Sequence, residues 1–66
     1  MKINSIKLAV AMAKKNINIK KLSEKSHVSR ATISHAKSGK DVSLDIVAKL
    51  AVALEIAVDD ILEEIN

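Results

Sequence analysis

The sequence contains no cysteine, no proline and no aromatic residue, and it has a single glycine. Without cysteine, a disulfide framework, a thiolate metal site and a thiol nucleophile are all excluded. Tight β-turns need residues that accept a positive φ or that fix φ in advance. The near absence of glycine and proline therefore argues against a β-rich fold and predicts an all-α protein.

Long hydrophobic runs are also missing. The longest apolar run, residues 8–13, is far too short to span a membrane. A secretory signal is not expected, because Lys7 interrupts the apolar stretch and cleavage would leave too little chain to fold. The 66 residues, 48% of them hydrophobic, are expected to form one domain, residues 1–66, in the cytoplasm.

The charged residues are distributed unevenly along the chain. Residues 1–40 hold ten of the eleven basic residues and one acidic residue, a net charge of +9. Residues 41–66 hold one basic and seven acidic residues, a net charge of −6. A basic surface attracts phosphate because each neutralised phosphate releases condensed counterions. This separation of charge favours the hypothesis that the protein binds a polyanion. The alternative is that the lysines only keep the helix surfaces solvated.

Capping residues and apolar spacing predict five short helices. The predicted N-caps are Asn4 or Ser5, Asn18, Ser29 and Ser43, and the fifth helix is expected to begin near Ala57 or Val58. The first three helices are expected to end near Lys15, Lys25 and Lys37. Asn16 and Gly39 follow two of these ends, where a left-handed residue closes a helix. The predicted fold is a compact five-helix bundle.

Residues 19–38 have the pattern of a helix-turn-helix. Ser23 is a small residue where two helices would cross, and apolar anchors lie on either side of it. The chain resembles the Cro/repressor-type (Xre-like, lambda-repressor-like) helix-turn-helix family over residues 6–62. The residues that carry the resemblance are Leu22-Ser23, Val28-Ser29-Arg30-Ala31-Thr32-Ile33-Ser34, Gly39 and the Leu-Ala-Val-Ala-Leu of residues 50–54. The resemblance implies a DNA-binding domain whose third helix, residues 29–37, reads the major groove of duplex DNA.

The chain departs from the family pattern at several positions. His27 stands in place of the usual turn glycine, so a residue with a side chain is expected to adopt left-handed backbone at some cost in stability. Ile19 replaces a polar residue that touches phosphate in relatives, and Val42 replaces a frequent proline. Met12 and Lys37 stand where many relatives pair an arginine with a glutamate, so that ion pair is absent.

Helical phase sorts the side chains of the third helix. At about 100° per residue, Ile33 and Ala36 point towards the core, and the opposite side is exposed. Ala31, Ser34 and His35 lie nearest that opposite side and Arg30 flanks it, and the resemblance implies base contacts by these four residues. The predicted phosphate contacts are Asn18, Ser29, Thr32, Ser38 and Lys40. The alternative for Arg30 and His35 is that they are ordinary solvent-exposed residues.

No pattern in the sequence indicates catalysis, a metal ion or a cofactor. His27 and His35 have no carboxylate cluster nearby, and two such histidines do not make a metal site. The serines lack the histidine and acid that would activate a nucleophile. An enzymatic activity is therefore not expected.

The sequence predicts a sequence-specific transcription regulator, a repressor, that binds a pseudo-palindromic operator as a homodimer. Val58, Ile61 and Ile65 repeat at steps of three and four residues and form the predicted dimer interface. The alternative is that Ile61 and Ile65 pack on the first helix within one subunit. Acidic neighbours of these residues predict an association that strengthens with salt.

A second hypothesis is a protein-interaction module, such as an antitoxin that neutralises a partner protein. The first helix is apolar almost all round, from Ile6 to Ala13, which is more than one core face needs. A membrane-surface protein is disfavoured, because lysines lie on several faces and tryptophan and phenylalanine are absent.

Overall fold

The computed structural model describes residues 1–63, and in this range the chain forms four α-helices and one 3₁₀ turn. The α-helices are α1 (Ser5–Lys15), α2 (Ile19–Ser26), α3 (Arg30–Lys37) and α4 (Leu44–Leu54), and the 3₁₀ turn is Val58–Asp60. The all-α prediction is confirmed, whereas the prediction of a fifth α-helix is wrong for the described residues. No helix among residues 1–63 is long and apolar enough to cross a membrane.

Each α-helix begins at a side chain that caps it. The side-chain oxygens of Asn4, Asn18, Ser29 and Ser43 accept hydrogen bonds from backbone N–H groups of the first turn that follows. These N–H groups have no partner within the helix, so the caps satisfy them. The four predicted N-caps are confirmed, with Asn4 rather than Ser5 at the start of α1.

Left-handed residues close the helices at their other ends. Asn16, His27 and Glu55 follow α1, α2 and α4 with φ values of 54°, 61° and 58°. Gly39, at φ 82°, lies just beyond the end of α3. The expectations for Asn16, His27 and Gly39 are confirmed, and Glu55 was not anticipated.

The hydrophobic core lies where α4 packs against α1, α2 and the 3₁₀ turn, while α3 packs on α2 and α1. Its largest fully buried side chains are Ile3, Leu8, Leu22, Ile33, Val47, Leu50, Leu54 and Ile61. Met12 is also buried in this core, so an apolar side chain occupies the place of the family's usual arginine. These contacts bury the inner face of each α-helix in the core.

Residues 1–4 form an extended strap that connects two distant parts of the chain. Single antiparallel bridges pair Lys2 with Asp41 and Ile3 with Leu62. The backbone hydrogen bonds of the strap run from Val42 N to Met1 O (2.7 Å), from Asn4 N to Ile61 O (2.8 Å) and from Glu63 N to Lys2 O (3.0 Å). The strap therefore ties the loop before α4 to the segment after the 3₁₀ turn.

The strap also contributes one charge pair and one core residue. The N-terminal ammonium group donates a hydrogen bond to the Asp41 carboxylate, and this bond lowers the pKa of that carboxyl group. The Ile3 side chain is buried in the core. No periodic pattern marks such a short segment, and the sequence analysis did not detect it.

The position of Ile61 corrects the predicted dimer interface. Ile61 is fully buried in the core of its own chain, and its carbonyl accepts the hydrogen bond from Asn4. Because this side chain is enclosed within its own chain, it is not exposed for the predicted contact with a second subunit. Val58 is partly buried against the core, and Ile65 lies outside the described residues.

We expect Ile3→Ala to lower the free energy of unfolding by about 2–4 kcal/mol, because it leaves a cavity beneath the strap. Val52→Ala is the control, since Val52 is 76% exposed on α4 and the change there should stay within about 0.5 kcal/mol. Urea unfolding of both variants measures the difference. Equal stability of the two variants would contradict the burial of Ile3.

We expect His27→Gly to raise the free energy of unfolding by about 1 kcal/mol, because glycine adopts positive φ without the steric cost of a side chain. The His27 side chain is exposed, so its removal costs little packing. Glu55→Gly is a matched control with the same backbone conformation, but it also removes a hydrogen bond from Lys15 (3.1 Å) and should gain less. A lower melting midpoint for His27→Gly would show that the imidazole stabilises the turn.

Candidate nucleic-acid interface

The α2–α3 pair forms a helix-turn-helix whose turn spans residues 27–29. Left-handed backbone at His27 reverses the chain, and Val28 then inserts its side chain into the core. The Ser23 hydroxyl donates a hydrogen bond to the Val28 carbonyl (2.6 Å). This bond joins the middle of α2 to the turn that sets the direction of α3.

Ser26 provides a second connection within the turn. Its buried hydroxyl donates to the Leu22 carbonyl (2.7 Å) and accepts a hydrogen bond from the Val28 N–H group (3.2 Å). Because Ser26 and Val28 are buried, an unpaired polar group between them would be costly. No role of Ser26 is predicted from the sequence above, although a serine before a left-handed residue is a signal that could have identified it.

The two faces of α3 have opposite surroundings. Ile33 and Ala36 are fully buried, so they fix the helix against the core. The four predicted base-contact residues are all exposed, namely Arg30, Ala31, Ser34 and His35. Their exposure agrees with the phase argument from the sequence. The fold therefore presents three side chains with hydrogen-bond donors and one small apolar side chain on one accessible surface.

The beginning of α3 is held by a pair of hydroxyl groups. The Ser29 Oγ accepts a hydrogen bond from the Thr32 N–H group (3.1 Å) and lies 2.8 Å from the Thr32 Oγ1. One of the two hydroxyls donates to the other, which leaves one hydroxyl hydrogen for an external acceptor. At the start of α2, the Asn18 side-chain oxygen accepts from the Lys21 N–H group (2.8 Å), and the amide N–H donors of Asn18 are not used in this cap.

Ser38 is less suited to its predicted phosphate contact. Its N–H group donates to the Ser34 carbonyl (3.1 Å), and its hydroxyl donates to the His35 carbonyl (2.7 Å). Both donors are engaged at the end of α3, so a bond to phosphate would require one of them to break. Lys40, two residues further, is exposed and follows the left-handed Gly39.

Two basic side chains, one at the start of α3 and one in the loop after it, are not neutralised by other described residues. In the part of the chain that the structure describes, Arg30 and Lys40 form no ion pair. Lys15, in contrast, pairs with Glu55 (3.1 Å), and its hydrogen bond lowers the pKa of the Glu55 carboxyl. Arg30 and Lys40 therefore keep their charge available for an anion.

Residues 1–63 contain no group of three or more histidine, cysteine, aspartate or glutamate side chains that could hold a metal ion. The groups that α3 presents are hydrogen-bond donors, acceptors and a methyl group, which are the groups that recognise base edges and phosphates.

A solved structure with this fold is the crystal structure of the restriction-modification controller protein C.AhdI from Aeromonas hydrophila. Its TM-score is 0.78 at 26% sequence identity, and the match covers 85% of this chain and 86% of that chain. No curated protein is significantly similar to the chain in sequence.

The family comparison agrees with the geometry. The model of the Cro/C1-type helix-turn-helix DNA-binding domain matches residues 7–65, a range that contains the whole of α2, α3 and α4. This match confirms the resemblance that the motifs of the sequence indicated. With a buried inner face and an exposed polar outer face on α3, the chain belongs to the Cro/C1-type helix-turn-helix family of DNA-binding domains.

Proposed function

We propose that this DNA-binding domain is a sequence-specific transcription regulator that places α3 in the major groove of duplex DNA. The observation that carries the proposal is the exposed face of α3, with Arg30, Ala31, Ser34 and His35 opposite the buried Ile33 and Ala36. A helix held by one face presents the other at a constant angle, which base recognition requires. The controller function named for the similar protein of Aeromonas hydrophila supports a regulatory role.

The side chains of α3 have distinct roles in this proposal. Arg30, at the first turn, donates two parallel hydrogen bonds to a guanine, which is the commonest specific base contact made by proteins. Ala31 contacts a thymine methyl group, and Ser34 and His35 bond to neighbouring base edges. Their close spacing on one helix limits direct reading to a few adjacent base pairs.

Phosphate contacts set the register of the complex. The N-termini of α2 and α3, capped by Asn18 and Ser29, direct N–H groups and positive dipole ends towards the DNA backbone. The free hydroxyl hydrogen of the Ser29–Thr32 pair and the Lys40 ammonium group add to these contacts. Such contacts position the protein without reading sequence.

A homodimer extends the recognised sequence to a pseudo-palindromic operator. A two-fold axis places the two α3 helices about 34 Å apart, facing successive major grooves on one side of the duplex. A dimer bound across a promoter occupies the DNA that a polymerase needs, which is why the proposed role is repression.

The second candidate function is binding of a partner protein, as an antitoxin does. The exposure of Ile6 and Val10 on α1, 74% and 47%, is the observation that favours it. Purification of the chain from its native cell distinguishes the two functions. A stoichiometric second protein supports this candidate, and selection of one recurrent sequence from a random DNA pool supports the regulator.

Affinity for DNA should fall steeply with salt, because bound phosphates release counterions. The logarithm of the association constant should fall by about 0.9 per phosphate neutralised for each unit of log salt concentration. Fluorescence anisotropy with a labelled duplex at several salt concentrations measures the slope. An affinity that does not change with salt would contradict the phosphate contacts of the proposal.

Arg30→Ala and Lys40→Ala should weaken DNA binding in different ways. Arg30→Ala should cost about 1–3 kcal/mol on the best site and relax the preference at one base pair, whereas Lys40→Ala should weaken all sequences alike. Competition binding with the selected site, its single-base variants and random DNA compares them. Equal losses on all three DNAs for both variants would contradict a base contact by Arg30.

A further inference from the structure

The outer face of α1 carries apolar side chains that the core does not use. Leu8, Ala11 and Met12 fill the inner face and are buried, whereas Ile6 and Val10 are exposed one helical turn apart. Ala13 is exposed on the same side. We name Ile6, Val10 and Ala13 the α1 stripe. Exposed apolar stripes of this kind mark contact surfaces more often than isolated exposed residues do.

A groove runs beside the α1 stripe, between α1 and residues 54–60. Ile6 and Val10 line it together with Lys14 from α1 and Asp59 from the 3₁₀ turn. Neither Lys14 nor Asp59 forms an ion pair within residues 1–63. The groove therefore joins an apolar centre to a basic group of α1, Lys14, and to two acidic groups of the 3₁₀ turn, Asp59 and Asp60, none of which forms an ion pair within residues 1–63.

We propose that the α1 stripe and this groove bind a second copy of the chain about a two-fold axis. The inference deepens the homodimer of the proposed function and depends on it for its biological role. A two-fold interface joins the same patch on both subunits, so the patch must be complementary to itself. Here Lys14 of each subunit meets Asp59 of the other, and Ile6 and Val10 of both subunits lie between the two ion pairs.

The other exposed apolar residues do not offer the same complementarity. Val52 and Leu44 are exposed on α4, where the nearby charges of Asp45 and Lys49 already pair with each other (3.1 Å). The interface expected from the last segment is also reduced, because Ile61 is buried in its own core. A partner whose contact surface carried charges of only one sign would place a like charge against either Lys14 or Asp59. A second copy of this chain satisfies both.

The expected association is weak and sensitive to salt. The groove is lined by about ten residues, whereas a standard stable interface uses about 20–30 residues a side, so we expect a dissociation constant on the order of micromolar or higher. Because the flanking contacts are between opposite charges at the surface, added salt should weaken the dimer. An interface crowded with acidic residues would respond in the opposite direction.

The test is a charge exchange followed by sedimentation equilibrium over a range of protein concentrations. Lys14→Glu and Asp59→Lys should each raise the dimer dissociation constant at least about tenfold, since each change places like charges together twice. The double variant Lys14→Glu/Asp59→Lys should return to within about threefold of the parent, because both ion pairs reform with reversed sign. Val10→Lys should also disrupt the dimer, and Val52→Lys is the matched control that should not.

Several results would overturn the proposal. A parent chain that stays monomeric at all concentrations, single variants that associate like the parent, or a double variant that fails to recover would each exclude this interface. Association that strengthens with salt would do the same. Circular dichroism verifies that each variant is helical. Binding to a DNA half-site tests the proposed function separately, because α3 can engage one half-site as a monomer whether or not this interface exists.

Discussion

The burial of one face of α3 is the contact on which the DNA-binding surface depends. Ile33 and Ala36 are fully enclosed by a core that contains no aromatic side chain, so no single large residue anchors the helix. Several aliphatic residues from different elements must close together to exclude water. Once Ile33 points inward, helical geometry directs Ala31 and His35, two residues away on either side, outward. The outward face is thus a consequence of packing on the inward face.

The strap of residues 1–4 extends this dependence to the loop that carries Lys40. Its backbone bonds hold residue 42 on one side and residues 61 and 63 on the other, while Ile3 is buried in the core. A short segment with no direct role at the DNA surface therefore helps to position a predicted phosphate contact. The same bonds explain why the chain after the 3₁₀ turn contributes Ile61 to the core rather than to an outer surface.

The net charge of +3 conceals a difference between paired and unpaired charges. Lys15 and Glu55 neutralise each other across the fold, and Asp45 and Lys49 do so along α4. Arg30 and Lys40 have no such partner among the described residues, and neither do Lys14 and Asp59. Exposed ion pairs contribute little to the free energy of unfolding. Their main consequence here is that the unpaired charged side chains stay available to bind an external partner. The first two unpaired charges belong to the proposed DNA surface, and the second two to the proposed interface between subunits.

Local sequence patterns predict the features that depend on neighbouring residues. The caps Asn18, Ser29 and Ser43, the left-handed His27 and the exposed side of α3 all follow from interactions within a few positions, which local patterns report. Tertiary structure alone decided the strap, the burial of Ile61 and the single 3₁₀ turn in place of a fifth α-helix. Ile61 follows Val58 by three residues, a spacing typical of a helix. In the structure, however, its carbonyl accepts a hydrogen bond from the Asn4 N–H group and its side chain is buried in the core. Contacts between residues far apart in the chain leave no periodic signal, because they depend on where the helices meet and not on the order of residues within any one of them.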